Sequence, residues 1–235
     1  MTRIMKKYSL ILADPCWEYD NKQQHNPARG GITYDTLSMK ALCELPVVNI
    51  AAPNSILVMW CTFPKLCDKY YERYDPLEVM RAWGFRPLTA LFVWIKTNKG
   101  GGYYSGLGRY TNSNAEFALV GRRGKGLPRL AKNVKQLIVA PIGRHSEKPR
   151  EQYDRLFSLY GDVPRIELFA RAQNAPPAGW DAIGLEYDNT DIRDFLRNNY
   201  ASVCKSNTKN DGKSIGRSSC SVSCKEGTRS NNFVS

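Results

Sequence analysis

The chain has 235 residues, 42% of them hydrophobic, and 34 Lys and Arg against 22 Asp and Glu give it a formal charge of +12. That hydrophobic content excludes a disordered chain, and no run approaches the roughly 18 apolar residues a membrane span needs. A cationic surplus of this size favours polyanionic partners, nucleic acid first and anionic membrane second.

Met1–Ser9 carries basic residues without a long apolar stretch, so no secretory signal is expected. The first predicted element is a buried strand over Tyr8–Ala13 (YSLILA), stopped by Asp14-Pro15. A polar loop, Tyr19–Thr33, follows with His25, Arg29 and two glycines, and then a helix over Ser38–Leu45 with Ser38 placed as its N-cap. The second strand is Ser55–Trp60. Beyond it Lys65–Trp83 has helical spacing that Pro76 must break or kink.

Further strands are predicted at Leu88–Ile95, Glu116–Val120, Leu137–Ala140 and Arg165–Phe169. Each run is continuous rather than alternating, as in strands covered on both faces. A Gly- and Tyr-rich loop, Thr97–Asn114, separates the first two, and a helix over Pro149–Tyr160 precedes the last. Strands alternating with helices predict an α/β fold with a mostly parallel, doubly wound sheet, which binds ligands beyond the carboxyl ends of its strands. The domain is expected to end near residue 189. Ile192, Phe195, Leu196 and Tyr200 could form one more amphipathic helix, and from Lys205 a Ser/Asn/Lys/Gly-rich tail reads as disordered. The seven cysteines read as reduced thiols of an intracellular protein; no His follows Cys204, Cys220 and Cys224, so no metal site is expected there.

Asp14-Pro15-Cys16-Trp17 follows the first strand directly. Methylating an adenine amine requires its lone pair, which is delocalised into the ring, to localise on nitrogen. A carboxylate accepting one N–H and a carbonyl accepting the other favour that. Asp14 and the Pro15 carbonyl can be those acceptors, and Trp17 can offer a face for an unstacked base, a contact worth ~1–3 kcal/mol. Asp14 also reads as a turn residue and Trp17 as a core side chain.

Nine segments in order carry a resemblance: ADPCW at 13–17, YDTLS at 34–38, VMWCT at 58–62, GF at 84–85, VWIKTN at 93–98, EFALVGRRG at 116–124, HSEKP at 145–149, IELFAR at 166–171 and GWDAIG at 179–184. From Tyr8 to Glu186 the chain resembles the S-adenosylmethionine-dependent adenine-N6 methyltransferases that include the catalytic subunit of the eukaryotic mRNA adenosine methyltransferase and phage and bacterial relatives. The resemblance implies a circularly permuted, Rossmann-like class I methyltransferase fold with S-adenosyl-L-methionine as cofactor. Asp14, Pro15 and Trp17 match the catalytic Asp-Pro-Pro-Trp, with Cys16 replacing a proline, and Tyr34 matches a position near the target base. Arg171, Gln173, Asn174 and Glu186 match cofactor positions, although Gln173 stands where His is usual and Leu185 where Asn is usual. Ser146 and Lys148, at the mouth of the next helix, offer a hydroxyl and an ammonium that suit the cofactor's carboxylate. His145 is expected to be structural. The family's adenine contacts come from a segment upstream of the catalytic strand, and this chain starts too close to Asp14 to hold it.

Gly121–Lys135 holds Arg122, Arg123, Lys125, Arg129, Lys132 and Lys135 with no acid, and is expected to neutralise phosphates beside the active-site edge. Tyr104, with Tyr103 and Tyr110, could stack on bases or pack as a lid. The expectation is a cytoplasmic DNA adenine-N6 methyltransferase of bacterial or phage type, monomeric or homodimeric, with no membrane partner. An RNA methyltransferase and a non-catalytic nucleic-acid-binding subunit are the alternatives.

Overall fold

The computed structural model describes residues 6–18, 36–66, 74–106, 108, 110–144 and 146–198. Seven strands form one sheet: β1 (Tyr8–Ala13), β2 (Ala51–Cys61), β3 (Arg86–Thr97), β4 (Ala115–Arg123), β5 (Leu137–Pro141), β6 (Arg165–Leu168) and β7 (Asp181–Ile183), in spatial order β5-β3-β4-β2-β1-β6-β7. β1 runs parallel to β2 and β6, β6 to β7, and β3 to β5, whereas β4 is antiparallel to both β2 and β3. Six strands therefore share one direction and β4 alone is reversed. Its start lies level with its neighbours' carboxyl ends, and its end lies level with their amino ends.

The alternation of side chains across β1 builds a core on each face. Ile11 and Ala13 join Met39, Leu42, Val79, Met80 and Trp83, while Leu10 and Leu12 join Tyr153, Leu156 and Leu159. The first face is covered by α1 (Met39–Cys43) and α3 (Pro76–Ala82), the second by α4 (Glu151–Tyr160). Ser38 caps α1 by accepting from the Ala41 N–H at 3.2 Å, as its position before the apolar run predicts. Asp75 caps α3 by accepting from the Glu78 N–H at 2.8 Å, and Pro76 occupies the first turn, where its missing N–H costs nothing. Pro76 thus begins a helix rather than kinking one. The predicted segment Lys65–Trp83 resolves into α2 (Phe63–Leu66) and α3, with 67–73 outside the described residues.

Two further differences have simple causes. β7 has only three residues, too few to leave a hydrophobic pattern. β5 is an edge strand, so Leu137 and Val139 on its open face are 54% and 61% exposed, and its apolar run is not covered on both sides. At the chain's end, α5 (Leu185–Asp188) precedes a helical stretch over 192–198, termed α6, whose Ile192 and Leu196 belong to the same core as Trp83. No helix among the described residues is long and apolar enough to cross a membrane.

Trp83 is fully buried and donates its indole N–H to the Leu42 carbonyl at 2.7 Å, tying α3 to α1. Trp83→Ala is expected to cost about 3–5 kcal/mol, read as a lowered urea midpoint. A loss under 1 kcal/mol would mean that this face of the core is not cooperative with the sheet.

Candidate active site

The shared direction of six strands gathers the chemistry at one end of the sheet. Asp14 follows the last residue of β1, Phe169 follows β6, and Glu116 sits second in the reversed β4. The residues ahead of α4 bring in Ser146 and Lys148. This is where ligands bind in open α/β sheets.

Lys148 is the hub. Its Nζ lies 2.7 Å from Asp14 Oδ2 and 3.4 Å from Glu116 Oε2, and 5.9 Å from the centre of the Trp60 ring. Glu116 is held from its other oxygen by Lys96 Nζ at 2.6 Å. Two ammonium groups and two carboxylates thus form one charge-balanced cluster. Burial pulls the Lys148 ammonium down, but Asp14 and Glu116 together carry it above its ordinary value. Burial likewise pushes Glu116 up, and Lys148 and Lys96 outweigh it to leave that carboxyl below its usual range.

A third acid lies beside them. Burial, reinforced by the charge of Asp14, raises Glu167 on β6 to about 7, although the Tyr153 hydroxyl donates to it at 2.7 Å and acts the other way. Trp60 donates its indole N–H to Gln152 Oε1 at 2.7 Å, fixing the wall between them. Asn174 is 7% exposed and its Oδ1 accepts from no group, which leaves a buried acceptor open to a ligand. Phe169 and Ser146 both hold φ of 62°, a conformation rare for residues with a Cβ and, for bulky Phe169, a local strain at the sheet's end.

Two clefts meet here. The first is lined by Asp14, Ser146, Lys148, Glu167, Gln173 and Asn174. The second, more apolar, is lined by Cys16, Leu37, Leu185, Glu186, Asp191 and Ile192. Phe169 and Arg171 border both. Arg171 Nε lies 3.1 Å from Glu186 Oε2, so these two predicted cofactor residues face each other across the junction.

Several predicted residues sit otherwise than expected. Trp17 is only 5% exposed, packs in the core with Met39, and donates its indole N–H to the Trp60 carbonyl at 3.2 Å. The expectation of an open face for a base is corrected to its alternative, a core side chain, one that anchors the Asp14 turn. That turn is tight. Pro15 accepts from the Trp17 N–H at 2.9 Å, which leaves its carbonyl a second lone pair, and the Cys16 carbonyl accepts from the Leu37 N–H at 2.9 Å. Burial pushes the Cys16 thiol up to about 11, so it is not a thiolate at neutral pH.

Arg122, Arg123 and Lys125 are not beside this site. β4 carries them away from it, and Arg122 and Arg123 stand opposite Ile56 and Ser55, toward the amino end of β2. Tyr104 does lie at the active-site end, where its N–H binds the Lys96 carbonyl at 2.9 Å, on a hairpin that exposes Tyr103 by 71%. Tyr34, His145, the loop 19–33 and the cysteines of the tail lie outside the described residues.

Glu116, Glu167 and Lys96 escaped the sequence reading. Each is a charged residue within or at the end of an apolar strand (EFALV, RIELF, VWIK), and such residues avoid burial unless paired or functional. That signal was present in the sequence.

The fold and the two clefts define an α/β ligand-binding domain whose chemistry lies past the carboxyl ends of its parallel strands, beside a balanced pair of acids and lysines. The MT-A70 family model matches residues 8–186, and the chain belongs to that family of methyltransferases. It is 35% identical over 204 residues to the type II methyltransferase M.MunI of Mycoplasma sp, covering 80% of this chain and 81% of that one. It is 27% identical over 193 residues to the human N(6)-adenosine-methyltransferase catalytic subunit METTL3, and 26% over 184 residues to an N(6)-adenosine-methyltransferase MT-A70-like protein of Arabidopsis thaliana. The chain spans only 30% and 24% of those two relatives.

Proposed function

We propose that the protein transfers a methyl group from S-adenosylmethionine to the N6 amine of adenine in DNA. The observation that carries the reading is the position of Asp14, at the tip of β1 on the rim of a polar cleft, with one carboxylate oxygen held by Lys148 at 2.7 Å. Its other oxygen and the free lone pair of the Pro15 carbonyl can each accept one N–H of the same amine. Accepting both draws electron density onto the nitrogen and orients its lone pair toward the cleft. Trp17 acts through this turn by anchoring it to Trp60, and is a positioning residue. Tyr104 and the exposed Tyr103 stand at the same end to hold an extruded base.

The donor set fits the cofactor. An amino-acid zwitterion needs acceptors for its ammonium and a cation for its carboxylate. The open Oδ1 of Asn174 and the carboxyl of Glu167 supply the first, and Lys148, with the Ser146 hydroxyl and Gln173 beside it, the second. Arg171 and Glu186 at the junction suit a ribose diol. When bound, the cofactor supplies an electrophilic methyl group, and this chain's residues orient the acceptor and exclude water.

The second cleft fits the adenine end. Leu37, Leu185 and Ile192 give it apolar walls, and Asp191 offers a carboxylate that Arg193 holds in place by hydrogen bonds at 3.0 Å or less. Asp191 and Ile192 are thus the residues of this cleft placed to contact the adenine. Asp191→Asn is expected to weaken binding of S-adenosylhomocysteine about tenfold by calorimetry, the loss of one charge-assisted hydrogen bond. It should also narrow the preference over the 6-oxo (inosyl) analogue. An unchanged preference would remove Asp191 from the adenine site.

DNA is favoured over RNA because M.MunI, a type II methyltransferase, matches over most of both chains. The test is incorporation of labelled methyl groups into duplex DNA and RNA oligomers, with N6-methyladenine identified in the digest. Label in DNA supports the reading, label in RNA alone installs the RNA alternative, and cofactor binding without turnover on either polymer installs the binding-subunit alternative.

A further inference from the structure

The cationic residues that the reversed strand carries away from the catalytic end form a surface of their own. Arg122, Lys125, Arg129, Lys132 and Lys135 are exposed, and so is Arg86 at the start of β3. Gly121–Lys135 contains no acid. Among the described residues none of these six side chains is in an ion pair. Arg86 and Arg122 are direct cross-strand partners. Like charges placed opposite each other across a ladder repel, so the fold tolerates a cost here that a bound anion would offset.

The segment is built rather than merely charged. Gly124 and Gly126 take positive φ at the turn out of β4, where a Cβ on Gly124 would strike the Pro53 carbonyl. The Lys125 N–H binds Asn54 Oδ1 at 2.9 Å, the Leu130 N–H binds the Leu159 carbonyl at 2.8 Å, and Gln136 Nε2 binds the Ala90 carbonyl at 2.8 Å. Leu127 packs into the core beneath α4. The stripe therefore holds its shape, running from the far end of the sheet up the α4 flank toward β5. Arg123 is the exception: its guanidinium lies against Gly84 at the end of α3 and serves the fold.

Six residue steps along β4 separate Glu116 from Arg122, about 20 Å at ~3.3 Å per step. That is about six base pairs of duplex at ~3.4 Å each. A phosphate next to the target adenine cannot reach Arg122, whereas a phosphate half a turn or more away can.

We infer that the stripe Arg86–Arg122–Lys125–Arg129–Lys132–Lys135 is a second, sequence-independent DNA contact that grips the phosphate backbone about half a turn or more from the target base. The inference rests on the proposed DNA substrate. Duplex DNA is chosen over an anionic bilayer because DNA is the proposed substrate and the stripe lies on the same sheet as the site that would act on it. Leu130, Leu137 and Val139 are exposed on this flank, so the test includes a vesicle arm.

The test uses the full chain, a 10-base-pair and a 30-base-pair duplex with a central target adenine, and the variant Arg122→Gln/Lys125→Gln/Arg129→Gln/Lys132→Gln. The variant is expected to bind the long duplex 10- to 100-fold more weakly at low salt. Its slope of log affinity against log salt should fall by about 3–4, at ~0.9 per phosphate contact. Affinity for the short duplex and for S-adenosylhomocysteine should stay within about twofold. Equal losses on both duplexes, or an unchanged slope, would overturn the proposal while leaving the methyltransferase reading intact. Loss of binding to phosphatidylserine vesicles with DNA binding unaltered would also overturn it. A wild type that binds neither duplex would instead sink the DNA reading. Should the quadruple variant melt early, Arg122→Gln and Lys132→Gln singly decide, each expected to lower the slope by about 0.9.

Discussion

Asp14→Asn is expected to lower kcat for DNA methylation by about 10²–10³-fold, with binding of S-adenosylhomocysteine changed by less than about threefold. The magnitude is that of removing one preorganised electrostatic partner from a reacting group. Asparagine keeps the shape of the side chain and one oxygen, but its amide is a far weaker acceptor and brings two donors of its own. One of those donors would face Lys148 Nζ, which now meets a carboxylate at 2.7 Å. The amide would then turn its oxygen to Lys148 and its NH₂ toward the incoming amine, the reverse of what the chemistry needs. The loss should fall on kcat, because the carboxylate's advantage grows as positive charge develops on the methylated nitrogen. Single-turnover kinetics at saturating DNA, with calorimetry of the same samples, checks this. A kcat within about threefold of wild type would remove Asp14 from the chemistry. A collapse of cofactor affinity would show that the carboxylate belongs to the donor's pocket instead.

Much of this arrangement could be read from the chain because its strands are continuous apolar runs ended by charge or proline. Tyr8–Ala13 is the clearest, with the same bounds in sequence and structure. Asp14 was legible for the same reason, since a charged residue that ends a buried strand must lie at a sheet's rim. The direction of β4 was not legible. EFALVGRR reads alike whichever way the strand runs, and only its pairing with Met59 and Val93 reveals that Glu116 points into the site and Arg122 out of it. Proximity in sequence to an active-site segment therefore misplaced the arginines. Trp17 failed for a related reason: aromatic character marks a stacking platform and a core anchor equally, and the choice depends on Trp60, 43 residues away. Ile192 reads as part of an appended helix because the composition changes after Asn189. In the structure that helix packs on the main core through Ile192 and Leu196, and Asp191 and Ile192 line the second cleft.

Lys148→Met is expected to destabilise the protein by about 3–5 kcal/mol at pH 8, the cost of removing one member of a buried ion cluster and leaving the others uncompensated. Methionine keeps most of the length of the lysine stem, so the loss measures charge rather than volume. In the wild type the ammonium faces Asp14 and Glu116, and Lys96 is the other cation on Glu116. Without it the cluster carries a net negative charge in a site where Glu116 and Lys148 are nearly dry. The pH dependence follows from the sign of the shifts. Glu116 is held below its ordinary value in the wild type, so its contribution is present above the unfolded carboxyl pKa and fades as acid protonates the folded group. With Lys148 gone, Glu116 loses the largest charge that opposes its burial, so its carboxyl rises and protonation relieves it. The gap between wild type and variant should therefore shrink as pH falls from 8 to 5. Urea titrations across that range measure it. Adding Glu116→Gln to Lys148→Met should recover about half or more of the loss, since it removes one of the two stranded charges, while Glu116→Gln alone should destabilise. A gap that is flat with pH, or a double variant no more stable than Lys148→Met, would show that the ammonium packs there without organising the acids. The cluster would then be a bystander to Asp14, and the carboxylate would owe its orientation to the Trp17 turn alone.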